Sequence, residues 1–143
     1  MHVDEKKVYI KPSDENGAAL FRRQISGNVV MLNLLRFRAV ADYTEFPQLA
    51  PIDDISGWDA YQKYMEHTLP FLEASGGSIV YAGKGGEFLI GPAGKGWDMA
   101  LLIRQSSVES FVAFAADSGY LEGIGHRVAA VVDSRIVPLE DIA

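Results

Sequence analysis

The sequence has no cysteine. Disulfides, thiolate nucleophiles, zinc–thiolate centres and iron–sulfur clusters are therefore excluded for any site built from this chain. Positive charge is also in deficit: 13 Lys and Arg stand against 19 Asp and Glu, a formal net charge of −6. A nucleic-acid binder is basic on at least one face, so no nucleic-acid partner is expected. No apolar run approaches the ~20 residues that span a bilayer. The opening Met1-His2-Val3-Asp4-Glu5-Lys6-Lys7 is too polar for a signal peptide, so no membrane partner is expected and the cytoplasm is the expected compartment. Histidine is limited to His2, His67 and His126, and none stands at metal-ligand spacing from another or from a carboxylate cluster. No metal site and no cofactor is expected.

Two familiar motifs are missing as well. Residues 83–96 hold 6 of the 14 glycines, which invites a phosphate-loop reading. A phosphate loop needs Gly-Lys-Ser/Thr opening a helix, whereas Gly94-Lys95 is followed by Gly96 and a strand pattern. Hairpin turns account for these glycines. There is no nucleophile elbow for Ser/His/Asp catalysis, and no basic patch with interleaved aromatics for RNA.

What is present describes a small α+β domain. The 143 residues, 48% apolar and 22% charged, suit one domain with a core of its own. Val8-Tyr9-Ile10 is a short strand-like run stopped by Pro12. Ser13 then caps a helix whose Ala18, Phe21 and Ile25 recur at helical spacing, with Gly27 as its stop. Residues 28–37 are apolar on both faces of a period-two reading and predict a central strand. Residues 39–55 form a long aperiodic connection, either an ordered insertion or a lid. Ser56 opens the best helix, with Trp58, Tyr61, Met65, Thr68 and Leu72 on one face. Strands are predicted at 78–83, 87–90 and 97–104. A helix capped by Ser106 follows at about 107–117, with Val108, Phe111, Val112 and Ala115 inside, and a last strand at 126–137.

Without the N-terminal extension (1–27), the core (28–138) reads β–α–β–β–α–β. That is the ferredoxin-like order, with an antiparallel sheet and both helices on one face. The other sheet face, apolar in the central strand, then needs a cover. A second copy packed sheet to sheet is the simplest one, so a homodimer through the sheet face is expected.

Polar groups at apolar positions are the candidate chemistry. Asn33 interrupts the central strand, where a core amide satisfied by backbone competes with a donor to a ligand oxygen. Arg36 and Arg127, read at strand ends, are either salt-bridged surface charges or bidentate carboxylate clamps. Tyr61, Tyr64 and Thr68 on the long helix are core residues or walls of a pocket. His67 on its flank and Asp98 are the general-base candidates, and Trp97 beside Asp98 is turn packing or an aromatic lid.

Val30-Met31-Leu32-Asn33-Leu34-Leu35-Arg36-Phe37, Tyr61…Tyr64…Thr68-Leu69-Pro70…Gly76-Gly77, Trp97-Asp98, Phe111 and Arg127-Val128-Ala129-Ala130 together carry a resemblance. Over about residues 28–138 the chain resembles the domain-of-unknown-function family 1330, of the dimeric α+β barrel superfamily. The resemblance implies a ferredoxin-like subunit pairing through its sheet. It implies no reaction, since superfamily relatives include cofactor-free monooxygenases, lactone isomerases and haem-dependent enzymes. A haem ligand would have to be His67 or His126. Two functional expectations result. One is a site between helices and sheet for a small, partly apolar acid or carbonyl compound, served by proton transfer or cofactor-free oxidation if it is catalytic. The other is a homodimeric interaction module without chemistry.

Overall fold

The computed structural model describes residues 7–142. Its elements are α1 (Asp14–Arg22), β1 (Val29–Phe37), a 3-10 turn (Pro47–Leu49), α2 (Gly57–Ala74), β2 (Ser78–Glu87), β3 (Gly96–Gln105), α3 (Val108–Ala115), α4 (Ser118–Leu121), α5 (Ile124–Ala130) and β4 (Val131–Glu140). The four strands form an antiparallel sheet in the order β2-β3-β1-β4. With α2 linking β1 to β2, and α3–α5 linking β3 to β4, the fold is ferredoxin-like, as the sequence pattern predicts. No described helix is long and apolar enough to cross a membrane.

Hydroxyl caps set the helix starts. Ser13 Oγ accepts from Asn16 N at 3.1 Å and Ser56 Oγ from Asp59 N at 3.0 Å. The third cap is Ser107 rather than Ser106, its Oγ accepting from Ser110 N at 3.0 Å. β3 runs on to Gln105, paired with Val29, so Ser106 is consumed in the joint. The sequence-predicted strand at 87–90 does not form. β2 runs unbroken through the glycines to Glu87, and the turn begins at Phe88. The last strand begins at Val131, and His126 and Arg127 lie on α5 instead. There the backbone is claimed by Arg38 N and Asp42 N, which donate to Ala130 O and Ala129 O.

Register separates the two sheet faces. Ala82, Leu101, Asn33 and Ile136 form one row of Cα partners, with Ile79, Ile103, Met31 and Pro138 beside it. This face meets the helices: Leu35, Met99 and Leu101 share a core with Ala60 and Tyr61 of α2 and Ala129 and Ala130 of α5. The alternate face carries the row Tyr81, Leu102, Leu32, Val137 and is bordered by Val30 and Leu139. These side chains belong to neither core cluster of the described residues, and Tyr81 is 60% exposed.

The junction of α2 with β1 and α5 depends on one missing methyl. A Cβ on Gly57 would stand 2.3 Å from Arg38 O and 2.6 Å from Ala130 O, both backbone atoms that cannot swing away. Gly57→Ala is expected to cost about 1–3 kcal/mol as an overpacked contact. Thermal unfolding checks this, and an unchanged midpoint would show that the junction can slide.

Candidate functional site

Between the helices and the inner sheet face lies a cavity of about 1170 Å³. It exists because α3 stands off the sheet: of its residues only Val108 is buried, while Phe111 and Phe114 are half-buried. Tyr120 props the gap, its ring tilted against Phe114 at 4.5 Å between centroids and its hydroxyl hydrogen-bonded to Tyr64 Oη at 2.7 Å. The floor holds Met31, Asn33, Leu101 and Ile103, and α2 contributes Tyr61, Tyr64, Met65 and Thr68. α1 closes one side with Leu20 and Phe21, the latter 57% exposed at the rim.

Five of the residues singled out in the sequence meet here: Asn33, Tyr61, Tyr64, Thr68 and Arg127. Arg127 is 9% exposed, and its donors reach only neutral oxygens. Nη1 donates to Ile10 O at 2.7 Å and Nη2 to Ser134 Oγ at 3.3 Å. Three phenols surround the same end of the cavity. Burial pushes the Tyr61, Tyr64 and Tyr120 hydroxyls above the usual phenol range, against a smaller downward pull from Arg127. They stay protonated and act as donors at any physiological pH. Asn33 Nδ2 donates to Met31 O at 3.1 Å, so this amide is partly satisfied within its own strand. Thr68 Oγ1 and Gln105 Nε2 are buried with no hydrogen-bond partner among the described residues.

The other four lie away from the cavity lining. Arg36 donates through Nε to Gly96 O at 2.6 Å and through Nη1 to Asp133 at 3.1 Å, and its guanidinium lies 4.0 Å from the Trp97 ring. Trp97 also meets Arg135, at 5.4 Å. Asp98 accepts from Phe37 N at 2.8 Å and is exposed. His67 bonds through Nε2 to Gly119 O at 2.8 Å, with its ring 5.3 Å from Phe71. The 39–55 connection contributes nothing to the cavity lining either. It is pinned to α5, where Tyr43 Oη meets His126 Nδ1 at 2.8 Å. Burial lowers the His126 pKa, with Lys63 and His67 adding to the effect, which favours the neutral ring in its hydrogen bond with the Tyr43 hydroxyl. Tyr120, Gln105 and the 7–12 segment are cavity residues that the sequence reading passed over.

The fold and cavity define a ferredoxin-like α+β domain with a largely apolar cleft, open to solvent at its α1 rim, that bears one buried arginine. No family model and no curated protein matches the chain. Among solved structures it is similar to the methylated RPA0582 protein, at 34% identity and a TM-score of 0.82, over 95% of this chain and 96% of that one. It is equally similar to the RPA0582 protein of unknown function from Rhodopseudomonas palustris, at 35% identity and a TM-score of 0.80, over 96% and 99% of the two chains. The chain belongs to the family of this RPA0582 protein. A dimeric protein of unknown function and ferredoxin-like fold from Bacteroides fragilis is a remoter likeness, at 12% identity and a TM-score of 0.49 over 80% of this chain and 96% of that one.

Proposed function

We propose that the domain binds a small, partly apolar acid or carbonyl compound in the chamber between helices and sheet. The observation behind this reading is Arg127, a buried guanidinium whose partners are neutral oxygens. Buried charges are otherwise paired, because an uncompensated ion loses its hydration without replacement. An acid or a polarised carbonyl oxygen supplies the counterpart, and the protonated Tyr64–Tyr120 pair, one hydroxyl donating to the other, leaves one free O–H donor beside it.

A cofactor-free monooxygenase or isomerase would need a base at the substrate. Neither His67 nor Asp98 lines the chamber, so binding is better supported than turnover. The kinship with the domain-of-unknown-function family 1330 remains part of this proposal, supported by Val30–Phe37, Tyr61, Tyr64 and Thr68. So does a homodimer through the open sheet face, supported by the apolar row Tyr81, Leu102, Leu32, Val137.

A thermal-shift screen against carboxylic acids, phenols, quinones and lactones tests the reading. A ligand at about 100 times its Kd adds about 2.7 kcal/mol, a shift of several degrees. Acids are expected to give hits that Arg127→Met loses. A flat screen on folded protein would favour the interaction module without a ligand.

A further inference from the structure

The charge of the chamber runs against that of the chain. Among the described residues five cationic side chains line it, Lys7, Lys11, Arg23, Arg127 and Arg135, and no Asp or Glu does. The chain as a whole carries −6. Lys7, Lys11 and Arg23 are exposed at the rim and Arg127 is buried within, an arrangement that favours anions over cations.

The cations are also segregated within the chamber. Arg127 bonds Ile10 and Ser134, Arg135 lies on β4 against the Tyr9 ring at 4.7 Å, and Arg23 donates to Pro138 O at 2.7 Å. All of these contacts are on the β4 and N-terminal side. Arg23 and Arg135 already have carboxylate partners in Glu140 and Asp133, while Arg127 has none among the described residues. Across the sheet, under β3 and β2, the walls are Ile103, Ile79, Leu72 and Phe111. From β4 to β2 is three strand spacings, about 14 Å at ~4.8 Å each.

We infer that the occupant is a medium-chain carboxylate, its head paired with Arg127 and its tail laid across the strands toward Ile79 and Phe111. This inference rests on the ligand-binding reading above. A short acid paired with Arg127 does not reach the apolar wall of Ile79 and Phe111, about 14 Å away across the strands. A neutral hydrocarbon leaves Arg127 unpaired. A cationic amphiphile puts a like charge beside Arg127, which has no carboxylate partner among the described residues.

Displacement of the neutral fluorophore phenylnaphthylamine from the full chain separates these cases. Decanoate is expected to displace it at about tenfold to a hundredfold lower concentration than decanol, as one charge-assisted hydrogen-bonded pair predicts. Decyltrimethylammonium should be weaker than decanol, and acetate should not displace the fluorophore. Arg127→Met should bring decanoate to parity with decanol while still binding the fluorophore, and Arg127→Lys should keep part of the preference. Parity in the wild-type protein, or a preference that survives in Arg127→Met, overturns the carboxylate assignment and leaves the chamber reading intact. Failure of the fluorophore to bind at all overturns the chamber reading itself. If Arg127→Met does not fold, the wild-type order of decanoate, decanol and decyltrimethylammonium decides the matter.

Discussion

Asp133→Ala is expected to lower the free energy of unfolding by about 3 kcal/mol, the low end of the cost of breaking a buried ion pair. The Asp133 side chain is 6% exposed and collects four donors. Tyr9 N and Ser134 N reach Oδ1 at 2.9 Å, Arg135 Nη1 reaches it at 2.6 Å, and Arg36 Nη1 reaches Oδ2 at 3.1 Å. The low end applies because Arg36 and Arg135 keep 34% and 39% of their side-chain surface in water and are rehydrated when released. The damage would not stay local. Arg36 and Arg135 both lie against Trp97, and Arg135 also against Tyr9, so the aromatic–cation stack loosens with the carboxylate. Tyr9 O accepts from Ser134 N and Oγ, which leaves the 9–10 segment held by β4 and Arg127 alone. Asp133→Asn should cost roughly half as much, since its amide oxygen still serves the backbone donors. Urea unfolding of the three proteins measures this. An alanine variant within about 1 kcal/mol of wild type would show that the arginines, once free, find equivalent partners.

This hub also shows why part of the candidate site could not be read from the sequence. Arg36 and Arg127 were equivalent there, each a charge at the end of an apolar run. Their fates differ because strand register places Asp133 opposite Arg36, whereas the five-residue delay in the start of β4 moves Arg127 onto a helix facing the chamber. A sequence pattern gives faces within an element and not which distant carboxylate lies across the sheet. The β–α–β–β–α–β order was legible because it rests on local signals: hydroxyl caps, a two-faced apolar strand and glycine-rich turns. α5 was not, since Arg127, Val128, Ala129 and Ala130 read equally well as strand, and tertiary hydrogen bonds from Arg38 and Asp42 settle its end. Tyr120 was passed over for a related reason. The helix expected to run to about 117 ends at Ala115, and the single turn of α4, which contains Gly119, carries too few residues to show a period. The lid reading of 39–55 failed because Tyr43 anchors the loop to His126, outside the chamber. The side wall is α1, a helix with no buried residue.

Under the proposed pairing through the open sheet face, Leu102→Lys is expected to convert the dimer into a monomer without harming the subunit. Leu102 sits at the middle of the open face, flanked in register by Tyr81 on β2 and Leu32 on β1, with Val137 beyond. It touches neither core cluster, so in an isolated subunit the lysine head reaches water and the stability change stays within about 1 kcal/mol. In a two-fold sheet-to-sheet pairing the substitution enters twice and buries two like charges without partners. At several kcal/mol per unpaired buried charge, the dimer is weakened about a thousandfold or more. Sedimentation of wild-type and variant proteins at equal concentration reads the change. A wild-type dimer that the variant leaves intact places the interface elsewhere. A wild-type monomer removes the sheet face as a contact and leaves its apolar row to explain by some other cover. The chamber lies on the opposite face, so decanoate binding should be the same in the monomeric variant as in the dimer. The proposed pairing and the proposed ligand binding are thus tested by one substitution each, Leu102→Lys for the first and Arg127→Met for the second.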